Sequence, residues 1–312
     1  MDSMTWNPEA LPDQTGRTLV VTGATAGIGY FAAEQLAAAG ADVVLASRSE
    51  SKLRIAQDAI RGQVPGASLR SVVIDLASLS SIDDAAAQLA ALPRLDAILL
   101  NGGVMAMSRK ATTSDGLPIL LGTHTISNVR LLAGILPALT TTAEQHDTIT
   151  RVVHTSTGFV QQFPTSVDDL RRTPLTAIGA YTKAKTATEV FAFELDRRLR
   201  AAGIPVASLV SKPGVGVDAK TPERAGIRDS TTPYRSNPYT LWAQGKDTAA
   251  WSAVRAMADP AAMGGEYYGP ATGIKGAPVH VELNPRTATP TGDLAQRVWR
   301  QLEELAEVTL SV

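Results

Sequence analysis

Tyr181 and Lys185 stand four residues apart in the stretch YTKAK. On a helix that spacing puts them on one face, one turn apart. A free phenol has a pKa near ~10 and is a poor base at neutral pH, but a neighbouring ammonium favours the phenolate. Such a pair can accept a proton from an alcohol or deliver one to a carbonyl oxygen. Lys183, two positions earlier, faces elsewhere. A second constellation lies at residues 22–29, TGATAGIG, with Gly23, Gly27 and Gly29 interleaved by Thr25, Ala26 and Ile28. It follows a β-branched run and precedes an Ala-rich helical one. Glycines there allow a sharp turn and close approach of a pyrophosphate, and the helix start offers free N–H groups and a positive dipole end. The third lies after the next apolar run, which ends Ala46-Ser47-Arg48. An acidic residue at that place would bond the ribose hydroxyls of NAD. Ser47 and the planar fork of Arg48 instead suit a 2′-phosphate. NADP(H) is the favoured coenzyme. NAD(H) stays open, because Arg48 can also stack on the adenine or stay solvated and Glu50 is close by.

The elements that must carry these residues alternate along the chain. Strand candidates fall at 18–22, 41–46, 69–75, 97–100, 151–155 and 206–210. Helical segments fall between them at 30–39, 50–60, 82–92, 117–139 and 181–202. Apolar strands separated by crossover-length helices describe a parallel sheet covered on both faces. The expected fold is α/β: a single Rossmann-like, doubly wound parallel sheet of about seven strands, in one domain spanning 1–312. The core covers about 15–215, residues 216–250 form a substrate lid, and 251–312 are an extension that completes the sheet. Residues 221–245 are rich in Pro, Ser, Thr and Arg and include Tyr234, Tyr239 and Trp242. That is too long for a simple connection, so it reads as a lid or as a surface excursion packed by its own aromatics.

Composition bounds the rest. The 312 residues are 44% hydrophobic and 19% charged, which is ordinary for a chain that buries a large core. A formal net charge of −1 gives no overall case for nucleic-acid binding. No cysteine is present, which excludes disulfides, thiolate metal sites and cysteine nucleophiles. No uncharged apolar run reaches the ~20 residues of a membrane helix, and the N-terminus lacks a secretory pattern. The expectation is a cytoplasmic protein with a small-molecule substrate, no metal, and no nucleic-acid or membrane partner; a homo-oligomer is left open.

The Gly-x-x-x-Gly-x-Gly spacing resembles that of the short-chain dehydrogenase/reductase family. Asp75-Leu76 resembles the family's adenine-pocket pair. Leu100-Asn101-Gly102-Gly103 resembles its Asn-Asn-Ala-Gly turn, with the first Asn and the Ala replaced. Pro213-Gly214, with Val215 next to it, resembles its Pro-Gly turn beside the nicotinamide. The opening Asp13-Gln14-Thr15-Gly16-Arg17 and the ending Tyr267-Tyr268-Gly269-Pro270 are most similar to the retinol-dehydrogenase-like branch and its bacterial relatives. The resemblance implies that Lys185 bonds the nicotinamide ribose as well as assisting Tyr181. It also implies a hydroxyl that polarises the substrate oxygen. Laid over the family's Arg-Ile-Val-Asn-Val-Ser-Ser, the stretch RVVHTSTG puts Thr157 on the catalytic serine, with Ser156 the alternative if the strand end is displaced. The family's catalytic asparagine falls on His124, which could carry protons and titrate near neutral pH; an ordinary helix histidine, or Asn128 taking over, are the other readings.

The activity these features imply is NADP(H)-dependent interconversion of a carbonyl and an alcohol. The rival is a coenzyme-binding protein with weak or lost catalysis. Met105, Met107, Phe159, Phe163 and Trp242 are candidates for an apolar pocket wall, which points to an apolar substrate.

Overall fold

A computed structural model of the chain describes residues 6–104, 111–228 and 238–312. Met105, Met107 and Tyr234 of the expected wall and lid therefore lie outside the described residues. The described chain forms an eight-stranded sheet in the order β3-β2-β1-β4-β5-β6-β7-β8. The strands are β1 Thr18–Thr22, β2 Asp42–Ser47, β3 Leu69–Val73, β4 Ala97–Leu100, β5 Thr150–Thr155, β6 Val206–Ser211, β7 Tyr267–Pro270 and β8 Pro278–His280. Seven run parallel, and β8 pairs antiparallel with β7. The expectation of about seven strands fell short at β8, a three-residue edge strand with too little periodicity to read.

Strand parity assigns the two faces. Leu19 and Val21, Val43 and Leu45, and Ala97 and Leu99 point to one side, where α1 (Gly27–Ala38), α2 (Glu50–Gln63) and α6 (Trp251–Ala258) cover them. Val20, Val44, Ile98 and Leu100 point to the other, beneath α3 (Leu79–Ala90), α4 (Ile119–Gln145), α5 (Ala177–Ala201) and α7 (Leu294–Ala306). Both faces being buried explains why the strands read as near-continuous apolar runs. The order reverses between β1 and β4, which opens a crevice at the carboxyl ends of the strands.

By length and composition α4 is apolar enough to cross a membrane, yet 78% of its most apolar window is buried inside this fold. Its early part contains a π-helical turn, Gly122–Ile126. Such single turns insert an extra residue into a helix and re-aim its side chains. The helix α5 starts at Ala177, four residues earlier than the apolar pattern indicates, because Thr176 caps it through a bond from the Gly179 N–H at 3.0 Å.

Candidate active site

The glycine-rich turn joins β1 to α1, and nothing but backbone closes its helix end. The N-cap is Ala26, which makes no side-chain cap bond, so the first N–H groups of α1 face the cleft. Gly29 is demanded by close packing: a Cβ there would come within 2.4 Å of the Gly23 carbonyl oxygen. The Thr22 hydroxyl accepts the N–H groups of Asn101 (3.0 Å) and Gly102 (2.9 Å), which ties the ends of β1 and β4 together. The Asn101 side chain donates to the Thr22 carbonyl at 3.2 Å. The Thr25 and Ser47 hydroxyls lie 3.1 Å apart and link this turn to the end of β2.

A cleft of about 610 Å³ runs along this edge. It gathers Gly23, Thr25, Ala26, Gly27 and Ile28 from the turn, with Ser47 and Arg48 from β2. Asp75, Leu76, Asn101, Gly102 and Gly103 line it from the ends of β3 and β4, and Pro213 and Gly214 from beyond β6. His124, Ser156, Thr157, Tyr181 and Lys185 line it as well. Gly29 and Val215 are not among its walls; Val215 instead pairs its N–H with the Ile274 carbonyl at 2.9 Å. Two cations that the sequence reading missed, Lys52 and Arg228, also face the cleft. Lys52 lies in the first turn of α2, just past the Ser49 cap that follows Arg48, a proximity that could have flagged it. Arg224, four residues earlier, clamps the same loop to Glu34 of α1 at 2.7 and 2.8 Å.

At the other end, Tyr181 packs edge-on against Phe159 and His124, with ring centroids 6.3 and 5.3 Å away. Phe163 packs edge-on against Phe159 at 5.4 Å, so of the expected wall aromatics Phe159 touches the phenol and Phe163 stands behind it; neither lines the cleft itself. Trp242 is half exposed and pairs with Tyr239 at 5.6 Å. Lys185 lies with its Nζ 6.0 Å from the Tyr181 ring centre and donates to the Thr155 carbonyl at 2.6 Å. Burial lowers its ammonium to about 7, against the opposing pull of Glu189. The expectation that Lys185 acidifies Tyr181 is corrected here. Burial raises the phenol above its ordinary value, and the hydrogen bond with the Thr157 side chain recovers part of that.

The two hydroxyls after β5 face opposite ways, as neighbouring side chains at a strand end must. Thr157 bonds with Tyr181, whereas Ser156 is buried and donates to Glu189 at 2.5 Å. Lys183 faces away and bonds the carbonyls of Asp169 and Arg172, stapling the loop that leads into α5.

His124 occupies the π turn and is 5% exposed. Its Nε2 lies 3.0 Å from the Val104 carbonyl, which can only accept, so this nitrogen carries the proton and Nδ1 is bare. Among the described residues Nδ1 has no partner. The ring fits because residue 103 is glycine: a Cβ there would lie 2.1 Å from the imidazole. Burial, and secondarily the Lys185 ammonium, lowers His124 to about 3. The expectation that it titrates near neutrality is therefore overturned by desolvation. Asn128 is turned back on its own helix and donates to the His124 carbonyl at 2.9 Å.

A doubly wound sheet with an open helix start, and a tyrosine–lysine pair in the same cleft, defines a dinucleotide-dependent oxidoreductase. Comparison with known proteins places it further. The family model for short chain dehydrogenases matches residues 17–158. Mouse (Mus musculus) polyprenol dehydrogenase is 34% identical over 84% of this chain and 78% of its own length. Human (Homo sapiens) retinol dehydrogenase 13 is 32% identical over 69% of this chain and 63% of its own. A crystal structure of an uncharacterized protein from Mycobacterium paratuberculosis superposes with a TM-score of 0.76 at 27% identity, covering 98% of this chain and 99% of that one. The chain belongs to the short-chain dehydrogenase/reductase family, in its retinol-dehydrogenase-like branch. It is a NAD(P)-dependent oxidoreductase acting between CH–OH and C=O groups.

Proposed function

We propose that the chain is an NADP(H)-dependent enzyme that interconverts a small apolar carbonyl compound and its alcohol, with Tyr181 as the acid/base. The observation that carries this reading is the convergence of Tyr181, Lys185 and Thr157 in the cleft that the glycine-rich turn opens. The residues present fit a dinucleotide. Uncapped N–H groups of α1 suit its pyrophosphate, and the Asp75-Leu76 turn suits its adenine. The bound nicotinamide supplies or takes up the hydride.

The chain's own residues do the remainder. Thr157 orients the substrate oxygen toward the Tyr181 hydroxyl. Tyr181 holds its proton at neutral pH, because burial keeps the phenol above its ordinary value. That state can deliver a proton to a carbonyl oxygen as hydride arrives. Lys185 is fixed by the Thr155 carbonyl and presents its remaining protons to the coenzyme ribose. His124 stays neutral and offers a bare Nδ1 as an acceptor in the proton path. Phe159, with Phe163 behind it, gives the phenol an apolar neighbour. The relatives named for polyprenol and retinol, both apolar alcohols, support the same substrate class.

The coenzyme choice rests on Ser47, Arg48, Lys52 and Arg228 all lining the cleft. Three cations beside a hydroxyl favour a phosphate dianion over two ribose hydroxyls. The test is turnover of a panel of apolar ketones and aldehydes with NADPH and with NADH. Arg48→Ala is expected to raise the NADPH Michaelis constant about ten- to hundredfold, the worth of one or two charge-assisted hydrogen bonds, while that for NADH barely moves. Equal changes for both would remove the NADP(H) preference. Tight NADPH binding with no turnover of any carbonyl or alcohol would favour the coenzyme-binding rival.

A further inference from the structure

The chain beyond β6 reads from sequence as a substrate lid, yet its first part is fastened to α1 and α2, the helices that follow the glycine-rich turn and β2. In the sheet β4 and β5 stand between β6 and β1, so the segment has travelled across the fold to reach them. The Arg224 guanidinium forms a two-pronged pair with Glu34 of α1 at 2.7 and 2.8 Å and lies over the Phe31 ring at 5.5 Å. Glu34 also accepts the Tyr30 hydroxyl at 2.9 Å. The Ile227 N–H bonds the Arg224 carbonyl at 3.1 Å and closes a turn whose third residue, Gly226, has φ +74°. That turn lies against α2: a Cβ on Gly226 would come within 2.5 Å of an Ile55 methyl. Ile227 is buried in the same apolar cluster as Leu53 and Ala56 of α2.

This anchoring decides where Arg228 stands. Ile55 lies one turn past Lys52 on the same face of α2. Arg228 is two residues beyond Gly226, a span of at most about 7 Å, so it enters the cleft beside the first turn of α2. Arg48 and Lys52 line the cleft there. The acids nearby are engaged elsewhere. Glu50 pairs with Arg54 at 3.3 Å, and Asp75, which also lines the cleft, accepts the Ala77 N–H at 3.0 Å. Three like charges in one cleft repel each other and draw in an anion.

We propose that residues 224–228 form a coenzyme clasp: Arg228 joins Arg48 and Lys52 on the 2′-phosphate of NADP(H), and the Glu34–Arg224 pair is the positioning device that holds Arg228 in place. The proposal rests on the NADP(H) reading given above. It gives the start of the long excursion after β6 a part in coenzyme choice, and it makes a carboxylate in the middle of α1 govern a phosphate that it does not touch.

The test is calorimetric titration of the full chain with adenosine 2′,5′-bisphosphate and with adenosine 5′-monophosphate. The two differ only in the 2′-phosphate, and neither needs turnover. Arg228 is exposed, so Arg228→Ala leaves the core intact. It should weaken the bisphosphate about tenfold and leave the monophosphate as it is. Glu34→Gln keeps the volume and an acceptor for Tyr30 but removes the charge that holds Arg224. It should weaken the bisphosphate alone by a smaller factor, about threefold, because Arg228 then spends less of its time in place. In an Arg228→Ala background Glu34→Gln should change nothing further. A Glu34→Gln protein that melts lower but keeps the native ratio of the two Kd values, or that shows its full effect in that background, overturns the positioning role. An Arg228→Ala protein that keeps the native preference for the bisphosphate overturns the clasp; if Arg48→Ala still lowers that preference, the NADP(H) reading stands without it. A native protein that binds both nucleotides alike ends both.

Discussion

Tyr181→Phe should lower turnover by about 10²–10⁴-fold, the usual contribution of a positioned acid or base, and leave NADPH binding as it is. The substitution removes one oxygen and keeps the ring, so the edge-on contacts with His124 and Phe159 survive and the fold is preserved. The hydroxyl lost is the one bonded with the Thr157 side chain, at the point where a substrate oxygen would be placed. Among the described residues the neighbouring proton carriers are engaged elsewhere: Lys185 is turned to the Thr155 carbonyl, and the protonated nitrogen of His124 is bound to Val104. The measurement is NADPH oxidation at saturating carbonyl substrate, alongside coenzyme binding by fluorescence. A kcat within a few-fold of the native value would end the acid/base assignment; a parallel loss of NADPH affinity would mean that the phenol serves the coenzyme instead.

The second large effect is acid lability from two buried neutral histidines. His154 on β5 is 0% exposed, and among the described residues neither ring nitrogen has a partner. Burial, assisted by Lys185, lowers it to about 3, the same value as His124. In the unfolded chain both titrate near the ordinary ~6.5. Between that value and about 3 the unfolded state binds more protons, so stability is fully present above pH 6.5 and falls as the pH drops. Each histidine contributes a slope of about 1.4 kcal/mol per pH unit, so the pair should cost about 2.7 kcal/mol per pH unit within that window. Urea unfolding between pH 6 and 5 reads this effect, and the difference between the native protein and His154→Leu separates it from the carboxylates of Glu189, Asp196 and Asp247, which burial raises. His154→Leu fills the same apolar site beside Phe191 without nitrogens and should halve the slope. A variant that loses stability with pH as steeply as the native protein would show that His154 takes up no proton on unfolding.

The catalytic framework was legible because its signals are local. Residues 22–29 read as a strand–turn–helix phosphate site from glycine spacing alone, and five of those eight line the cleft. Tyr181 and Lys185 share a helix face because a turn of α-helix is close to four residues, whatever surrounds it. The six strands read from the sequence are all present, since apolar runs buried on both faces need no knowledge of their partners. Ionisation was not legible. Nothing in the spacing of Tyr181 and Lys185 shows that burial outweighs their mutual influence. Likewise, nothing in the stretch GTHTI shows that a π turn would seal His124 against Val104.

Amino-acid order thus determined the crossovers, the phosphate turn and which residue types line the sheet's edge, because each depends on neighbours a few positions away. Tertiary structure decided which hydroxyl, Thr157 or Ser156, faces the phenol, and what charge each buried group carries. It also brought Arg228 to a cleft whose other cations lie far from it in the chain. The reason is desolvation. The cost of a charge or an unpaired polar atom is set by everything packed around it, and that environment exists only once β5, α5 and the C-terminal strands have come together.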